Sequence, residues 1–368
     1  MRGAALIALV MTLAACDVGN AHPSPSPSTS PVPNPAATLA GDLRTHLDLL
    51  LGEQVMIVAK QTVAAANHTD DYTAYTRLLA TNTAELGELW RRAFGNTTAM
   101  RLADSWDAQN EYLVDYTIGV VTHDSTRSKT ASANLTQKFV PEFSGLIEDA
   151  SHLPLDPVSL LLVQQTLENK AFIDDYGAQN LAQFYVDLHR AYVQTARLGD
   201  ALSVAITDRF PDKFPGDPGL RAVNARVTAN TLLQERSYLE TMATAAQIGG
   251  RNAEAGFAAT SVATNAEAAA KAFASTLGQD PATLKGALDA EMLALKNYAA
   301  GDGGKDALTK SAGDVAGLAH VSKQHALDHV NSLIKVVDDQ RAKNFSDLAN
   351  DDRSAATSTQ PMGDAVRG

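Results

Sequence analysis

Cysteine is nearly absent from this chain of 368 residues, which contains only Cys16. A single thiol excludes a disulfide framework and any zinc or iron–sulfur site built from several cysteines. The 14 prolines and 24 glycines are too few for a fibrous protein, whereas the 45% hydrophobic fraction is enough for real cores. Basic residues are also scarce, 30 against 42 acidic ones, and the net charge of −12 argues against nucleic acid as a partner.

The amino terminus lacks a hydrophobic run long enough to span a bilayer. One positive charge, Arg2, precedes a short apolar segment that is typical of a signal-peptide core. Its ending, Leu13-Ala14-Ala15-Cys16, resembles the lipobox of bacterial lipoproteins. That resemblance implies a signal peptide over residues 1–15 and membrane lipid attached to Cys16. It also implies a cell-membrane location, lipid-anchored on the extracytoplasmic face; the alternative is an ordinary secretory signal with an incidental cysteine.

A Pro/Ser-rich segment follows, and we predict a disordered stalk over residues 16–41. Six of the fourteen prolines lie within residues 22–37, HPSPSPSTSPVPNPAA. Such a segment favours extended polyproline II and cannot form a packed core, so we interpret it as a spacer through the cell envelope. From residue 42 onward the long segments have helical periodicity with no competing strand pattern, which predicts an all-α fold.

The helical part repeats itself along the chain. The stretch ATNTAE at 80–85 is matched by ATNAE at 263–267, and the Asp pair at 174–175 by another at 338–339. The offset falls from 182–183 to 164, so the second copy is shorter. We therefore predict two tandem up-and-down helical bundles arising from internal duplication, over residues 42–216 and 217–368. The segment FPDKFPGDPG at 210–219 marks the boundary.

Polar residues interrupt the apolar stripes of several predicted helices. In the first copy these core polar positions are Gln54, Asn82, Gln109 and Gln165, and the aligned positions of the second copy are Arg236, Asn265, Glu291 and His329. A buried amide without a partner costs on the order of 1–3 kcal/mol, so these groups should meet one another or a ligand. Two interpretations stay open: a structural network that fixes helix register, or a small binding site between the helices.

Several landmarks together resemble a family of secreted Gram-positive proteins, often labelled copper amine oxidase N-terminal-like, that has tandem helical modules. The landmarks are Glu53-Gln54, Asn82-Thr83, Trp106-x-x-Gln109 with Val114-Asp115-Tyr116, Gln165 with Asp174-Asp175, and FPDKFPG at 210–216. The resemblance covers most of 43–216 and, more weakly, 217–368. The family pattern has histidines where this chain has Gln54, Gln109 and Gln165. Because glutamine is a poor ligand for a transition metal, the first module would have lost any such site.

The second copy keeps groups that bind metals. His325 and His329 are four residues apart, a spacing that places both on one helix face, and Glu291 is the carboxylate among the aligned polar positions. Copper, zinc or iron binding through these three residues is one hypothesis, with a small cofactor as a variant of it. A buried Arg236–Glu291 ion pair beside His329 is the competing one.

No catalytic motif accompanies these residues. There is no nucleophile elbow, phosphate-binding loop or dinucleotide fingerprint, and we expect paired carboxylates such as Asp351-Asp352 at helix starts or on solvated faces. The sequence therefore predicts a non-enzymatic, membrane-anchored binding or interaction module without a required cofactor. Its partner would be a protein or a small molecule of the envelope.

Overall fold

The computed structural model describes residues 34–278 and 280–366, and every regular element in these ranges is helical. The signal peptide, Cys16 and most of the predicted stalk lie outside the described residues. The helices are α1 Leu39–Asn67, α2 Tyr72–Phe94, α3 Asn96–Val121, α4 Ser125–Asn134, α5 Val140–Ser151, α6 Leu155–Gly177, α7 Leu181–Arg209, α8 Arg221–Ile248, α9 Asn252–Leu277, α10 Pro281–Ala300, α11 Lys305–Ala319, α12 Lys323–Ala342, α13 Phe345–Thr357 and α14 Gln360–Asp364.

Local signals in the sequence set many of the helix ends. Thr38 and Ser322 accept hydrogen bonds from backbone N–H groups in the first turns of α1 and α12, as N-cap side chains do. Asp280 does the same for α10, whose first residue is a proline. Gly278 and Gly301 end α9 and α10 in the left-handed conformation, which glycine adopts without a steric penalty.

The two halves of the chain, residues 42–216 and 217–368, differ in the segment that connects the third helix of each half to its later helices. In the first half, α4 runs through a π-helical turn, Leu135–Phe139, directly into α5, whose first turn contains Pro141. Pro141 cannot donate a backbone hydrogen bond, and the π-helical turn lies directly before the turn that contains it. In the second half the shorter α11 alone connects α10 to α12.

Helices α1 and α8 are the central helices of the fold. Helix α1 packs against α2, α3, α6, α7 and α8, and α8 packs against α9, α10, α12, α13 and α14. Residues 51–62 of α1 and 233–244 of α8 are buried without interruption. Helix α1 is long and apolar enough to cross a membrane, but 83% of its most apolar window is buried inside the protein. Its apolar composition therefore fits a helix surrounded by other helices.

Residues 34–366 belong to one compact unit. Its main hydrophobic cluster takes side chains from both halves, including Val55 of α1 and Leu239 of α8. A second cluster lies within the first half, where Trp106 packs against Trp90 and Phe143 with ring centroids 6.0 and 5.2 Å apart. The two predicted bundles are thus packed into one body, and their origin as copies stays a prediction.

A buried ion pair joins the two halves. The Lys60 ammonium of α1 lies 2.5 Å from Asp352 of α13 and donates a second hydrogen bond to Thr241 of α8. The Tyr75 hydroxyl also donates to Asp352. The expectation that Asp351-Asp352 lies on a solvated face was therefore wrong, since Asp352 is only 1% exposed. Helix α13 packs between α2 and α8, and that packing buries its inner carboxylate.

We expect Asp352→Asn to lower the free energy of unfolding by about 3 kcal/mol or more, because it leaves the Lys60 ammonium buried without a counter-charge. Urea unfolding followed by circular dichroism measures this change. Glu88→Gln is the matched control, since the Glu88–Arg91 pair is half exposed and screened by solvent. Equal, small effects of the two substitutions would contradict the assignment of Asp352 as a buried counter-ion.

Candidate metal centre

The first half contains a layer of neutral amides, which we name the amide layer: Gln54 of α1, Gln109 of α3 and Gln165 of α6. All three side chains are buried. The Gln54 side-chain amide donates to Asn110 at 2.7 Å and, more weakly, to Gln109 at 3.4 Å. Gln165 donates to Thr195 at 3.2 Å and to Gln54 at 3.5 Å. The amides predicted to meet one another do so.

Asn82 and Asn265 are buried but form separate contacts. Asn82 Nδ2 donates to Glu53 Oε2 at 2.8 Å and to the Leu50 carbonyl at 2.9 Å. Asn265 Nδ2 donates to Glu235 Oε2 at 2.9 Å and to the carbonyl of residue 232 at 3.0 Å. Each asparagine therefore ties the second helix of its half to a carboxylate on the first.

Other contacts recur at the offsets seen in the sequence. Each pair joins the same helices of its half, with donor–acceptor distances of 2.6–2.7 Å. The pairs are Arg44–Asp200 with Arg226–Asp364, and Tyr116–Asp174 with Tyr298–Asp338. Gly199 and Gly363 also correspond, because neither has room for a Cβ atom against the central helix, which presents Asp48 or Asn230 there.

In the second half, ionisable groups occupy the three positions that align with the amide layer, and Glu240 joins them. We name this set the charged layer: Arg236 and Glu240 of α8, Glu291 of α10 and His329 of α12. All four are buried. One ligand atom from each of Glu240, Glu291 and His329 lies within 4.8 Å of the other two. Glu291 and His329, which the sequence analysis grouped together, thus lie close to each other, and Arg236 lies beside them.

Arg236 neutralises part of the carboxylate charge. Its Nη2 atom lies 2.7 Å from Glu240 Oε1 and 3.8 Å from Glu291 Oε1, and it donates to the Leu288 carbonyl at 2.6 Å. Despite the 2.7 Å contact, neither oxygen of Glu240 receives an aligned hydrogen bond, and Nε and Nη1 of Arg236 have no partner. The Arg236–Glu291 distance of 3.8 Å, in the pair that the sequence suggested, is thus longer than the Arg236–Glu240 distance of 2.7 Å.

The orientation of His329 leaves one ring nitrogen available. Nδ1 lies 3.1 Å from the Ala355 carbonyl and 3.2 Å from the Ser358 hydroxyl, and Nε2 lies 4.0 Å from Glu240 Oε2. Because a carbonyl only accepts, Nδ1 carries the proton and Nε2 keeps its lone pair. Histidines that bind metals commonly donate their other N–H to a backbone carbonyl in this way.

Burial sets the protonation of the charged layer. Desolvation lowers the pKa of His329 to about 4, so the imidazole is neutral near pH 7. Desolvation also raises the pKa of Glu240 to about 8, against the opposing effect of Arg236, and raises that of Glu291. These shifts favour a single proton shared by the Glu240–Glu291 pair near neutral pH, which would offset the carboxylate charge that Arg236 does not neutralise.

A small cavity adjoins these groups. It measures about 20 Å³ and is lined in part by Arg236, Glu291 and His329. That volume admits roughly one water molecule or one ion. Glu240 does not line this cavity, but its ligand atom lies within 4.8 Å of those of Glu291 and His329. Two carboxylates and one imidazole are donor types that divalent transition metals accept.

The three residues that converge differ from the predicted set Glu291, His325 and His329 at one position. His325 is half-buried, and it is not among the three ligand residues that converge. It lies on α12 one turn before His329. The contact with α13 is made by His329, whose Nδ1 atom faces the Ala355 carbonyl. Glu240 was missed, although its place four residues after Arg236 puts both on one face of α8.

No family model, curated protein or solved structure matches the chain. The resemblance to the copper amine oxidase N-terminal-like helical family stays a prediction.

We expect His329→Gln to remove an acid-sensitive part of the stability. The folded pKa of about 4 lies below the ordinary 6.5, so His329 contributes stability above pH 6.5 that is lost as the pH falls towards 4. At 1.36 kcal/mol per pKa unit, the loss relative to His329→Gln approaches roughly 3 kcal/mol. Urea unfolding with chelator between pH 7 and about 4 measures it. Parallel stability profiles of the two proteins would contradict this assignment.

Proposed function

We propose that the chain is an extracytoplasmic, lipid-anchored, non-enzymatic binding protein whose second half holds a divalent transition-metal ion. One observation carries the proposal: Glu240, Glu291 and His329 bring their ligand atoms within 4.8 Å of one another in a buried site. Burial of one excess negative charge is unfavourable unless a proton or a cation compensates it. A metal ion would take the place of the shared proton.

We further infer that the two halves are copies of one helical module, as the recurring contacts support. The first half then serves as an internal control for the second. Gln54, Gln109 and Gln165 stand where the second half has Arg236, Glu291 and His329, at offsets of 182, 182 and 164. Neutral amides fill the corresponding positions of the first half, so the packing of these helices does not require charged groups. We therefore interpret the ionisable groups of the second half as a binding site.

The donor chemistry favours zinc or iron(II). Carboxylates and imidazole suit both ions, and the layer contains no thiolate, which copper(I) prefers. His329 would bind through Nε2, with Glu240 and Glu291 as the oxygen ligands. Arg236 would oppose the ion electrostatically, so the affinity should rise when that charge is removed.

Elemental analysis of residues 34–368, purified without an affinity tag, tests the proposal directly. We expect about one zinc or iron per chain, and a thermal stabilisation when the metal is added to the chelated protein. The double variant Glu291→Gln/His329→Gln introduces the side chains found in the amide layer. It should stay folded and lose metal binding by more than about 100-fold, because even outer residues of metal sites contribute 10–100-fold.

Two further variants separate a metal site from a structural network. His325→Gln is the matched histidine control and should leave binding unchanged. Arg236→Gln should strengthen binding if a metal occupies the layer, whereas it should only destabilise a purely structural ion-pair network. A metal-free protein with no thermal shift would leave the charged layer as such a network.

The lipid anchor gives a separate prediction. Cys16→Ser should move the protein from the detergent phase to the aqueous phase in a phase-partition assay and should abolish incorporation of labelled palmitate. The reason is that the acyl chains, of which several are needed for stable anchoring, would all be attached at Cys16. Ser26→Ala, in the predicted stalk, is the control. Retention of the Cys16→Ser protein in the detergent phase would contradict lipid attachment at this residue.

A further inference from the structure

Two aspartates meet where α12 turns into α13. Asp339 lies in the last turn of α12 and Asp351 in the middle of α13, and their carboxyl groups are within hydrogen-bonding distance of each other. The two residues are only 8% and 7% exposed. Two ionised carboxylates in contact repel each other, and burial strengthens that repulsion, so the contact requires a proton or a cation.

The four oxygens of this pair fall into two sets. Asp339 Oδ1 accepts a hydrogen bond from the Asn344 side-chain amide at 2.9 Å, and Asp351 Oδ1 accepts one from the Lys335 ammonium at 2.6 Å. The Oδ2 atom of each aspartate is buried and has no hydrogen-bond donor among the described residues. A proton on one Oδ2 atom would supply the missing donor, because a protonated carboxyl group donates one hydrogen bond.

The arrangement recurs in the first half, 164 positions earlier. Asp175 of α6 and Asp187 of α7 are again hydrogen-bonding partners, and the Asn180 amide donates to Asp175 at 3.2 Å. Oδ2 of Asp175 is likewise buried without a donor. The residue before each asparagine, Gln179 or Lys343, has a positive φ of 59° or 54°. The recurrence of the pair, its asparagine donor and its turn indicates a feature of the fold rather than an incidental contact.

One cation contacts the second-half pair. Lys335 of α12 lies 2.6 Å from Asp351, and Asp347 of α13 is a further carboxylate near this lysine. The titratable groups of the neighbouring helices bind other residues: Lys60 of α1 and Tyr75 of α2 bind Asp352, Glu240 of α8 lies against Arg236, Tyr298 of α10 binds Asp338, Lys310 and Asp314 of α11 pair with each other, and Asp364 of α14 pairs with Arg226. The protonation of the pair is therefore governed by its own two carboxyl groups, their burial and Lys335.

We propose that Asp339 and Asp351 share one proton between their Oδ2 atoms and form a pH-sensitive clamp between α12 and α13, which Asp175 and Asp187 repeat between α6 and α7. At low pH the shared proton joins the two helices. As the pH rises the proton is lost, and the two carboxylates repel each other across the same contact. The next residue of α13, Asp352, forms the ion pair that joins the two halves, so the clamp lies beside that contact. The clamp does not depend on metal binding.

The pKa of Asp339 sets the pH range of the clamp. Burial and the hydrogen bond to Asp351 raise this pKa from its ordinary 3.8 to about 6, against the opposing effect of the Asn344 hydrogen bond. The folded protein therefore binds more protons than the unfolded chain between these two values. The stability that the shared proton contributes is fully present below pH 3.8 and is lost as the pH rises through about 6.

Asp339→Asn tests the clamp, because the new amide can donate to Asp351 at every pH. Urea unfolding of the chelated protein, followed by circular dichroism, gives the folding equilibrium constant between about pH 4.5 and 7.5. Relative to the variant, the folding constant of the wild-type protein should fall at least about tenfold as the pH rises over this range. Asp302→Asn, at an exposed carboxylate, is the control and should follow the wild-type profile.

Parallel pH profiles of the wild-type protein and Asp339→Asn would overturn the clamp. Asp175→Asn should change the profile in the same direction as Asp339→Asn, and an unchanged profile would overturn the extension to the first half. A bound cation could satisfy the same two oxygens in place of the proton. Thermal stabilisation of the chelated wild-type protein by millimolar calcium, abolished by Asp339→Asn, would assign the pair to a cation and refute the shared proton.

Discussion

The burial of α1 and α8 on all sides is the constraint on which the rest of the structure depends. Each helix has twelve successive buried residues, 51–62 and 233–244, and these stretches include charged side chains. A buried charge without a partner is strongly destabilising, so every one of them must find a counter-charge or hydrogen bonds inside the protein. The positions of the surrounding helices are therefore tied to the polar groups of the central pair.

Several of these polar contacts cross between the halves in a reciprocal way. Arg353 of α13 donates two hydrogen bonds to Glu53 of α1, and His189 of α7 contacts Glu235 of α8 at 2.7 Å. In each case the later helix of one half reaches the central helix of the other. Lys60 and Asp352 add a further link. Helix α13 of the second half is thereby held against the first half, which helps to make the two halves one unit.

The sequence predicted the features that local chemistry determines. Helix boundaries follow capping residues, glycines and prolines, and the spacing of the apolar stripe indicated that Gln54, Gln109 and Gln165 would be buried. Glu240 was not predicted, because α8 is buried on all sides at this level. Its sequence therefore does not alternate between a polar and an apolar face, and the pattern does not show which polar residues point into the core. Its counterpart in the first half is Val58, so comparison of the copies gave no signal either.

Long-range packing decided the remaining differences. His325 and His329 lie on the same face of α12. Helix α13 packs over His329, and its Ala355 carbonyl orients the His329 ring. Asp352 looks like a solvated carboxylate in the sequence, and only the docking of α13 between α2 and α8 buries it. In both cases the contact that decides the outcome joins two different helices, and the residue spacing within one helix does not predict such a contact.

Arg236 changes the charge balance of the charged layer. The guanidinium, the two carboxylates and one shared proton would sum to zero charge, a combination that is compatible with burial. Under the proposed function, a divalent ion would have to displace that proton and would lie near a fixed positive charge, which would reduce its affinity. A layer of this composition would therefore suit reversible loading better than permanent retention. The amide layer of the first half, with no ionisable group among its three glutamines, has no comparable second state.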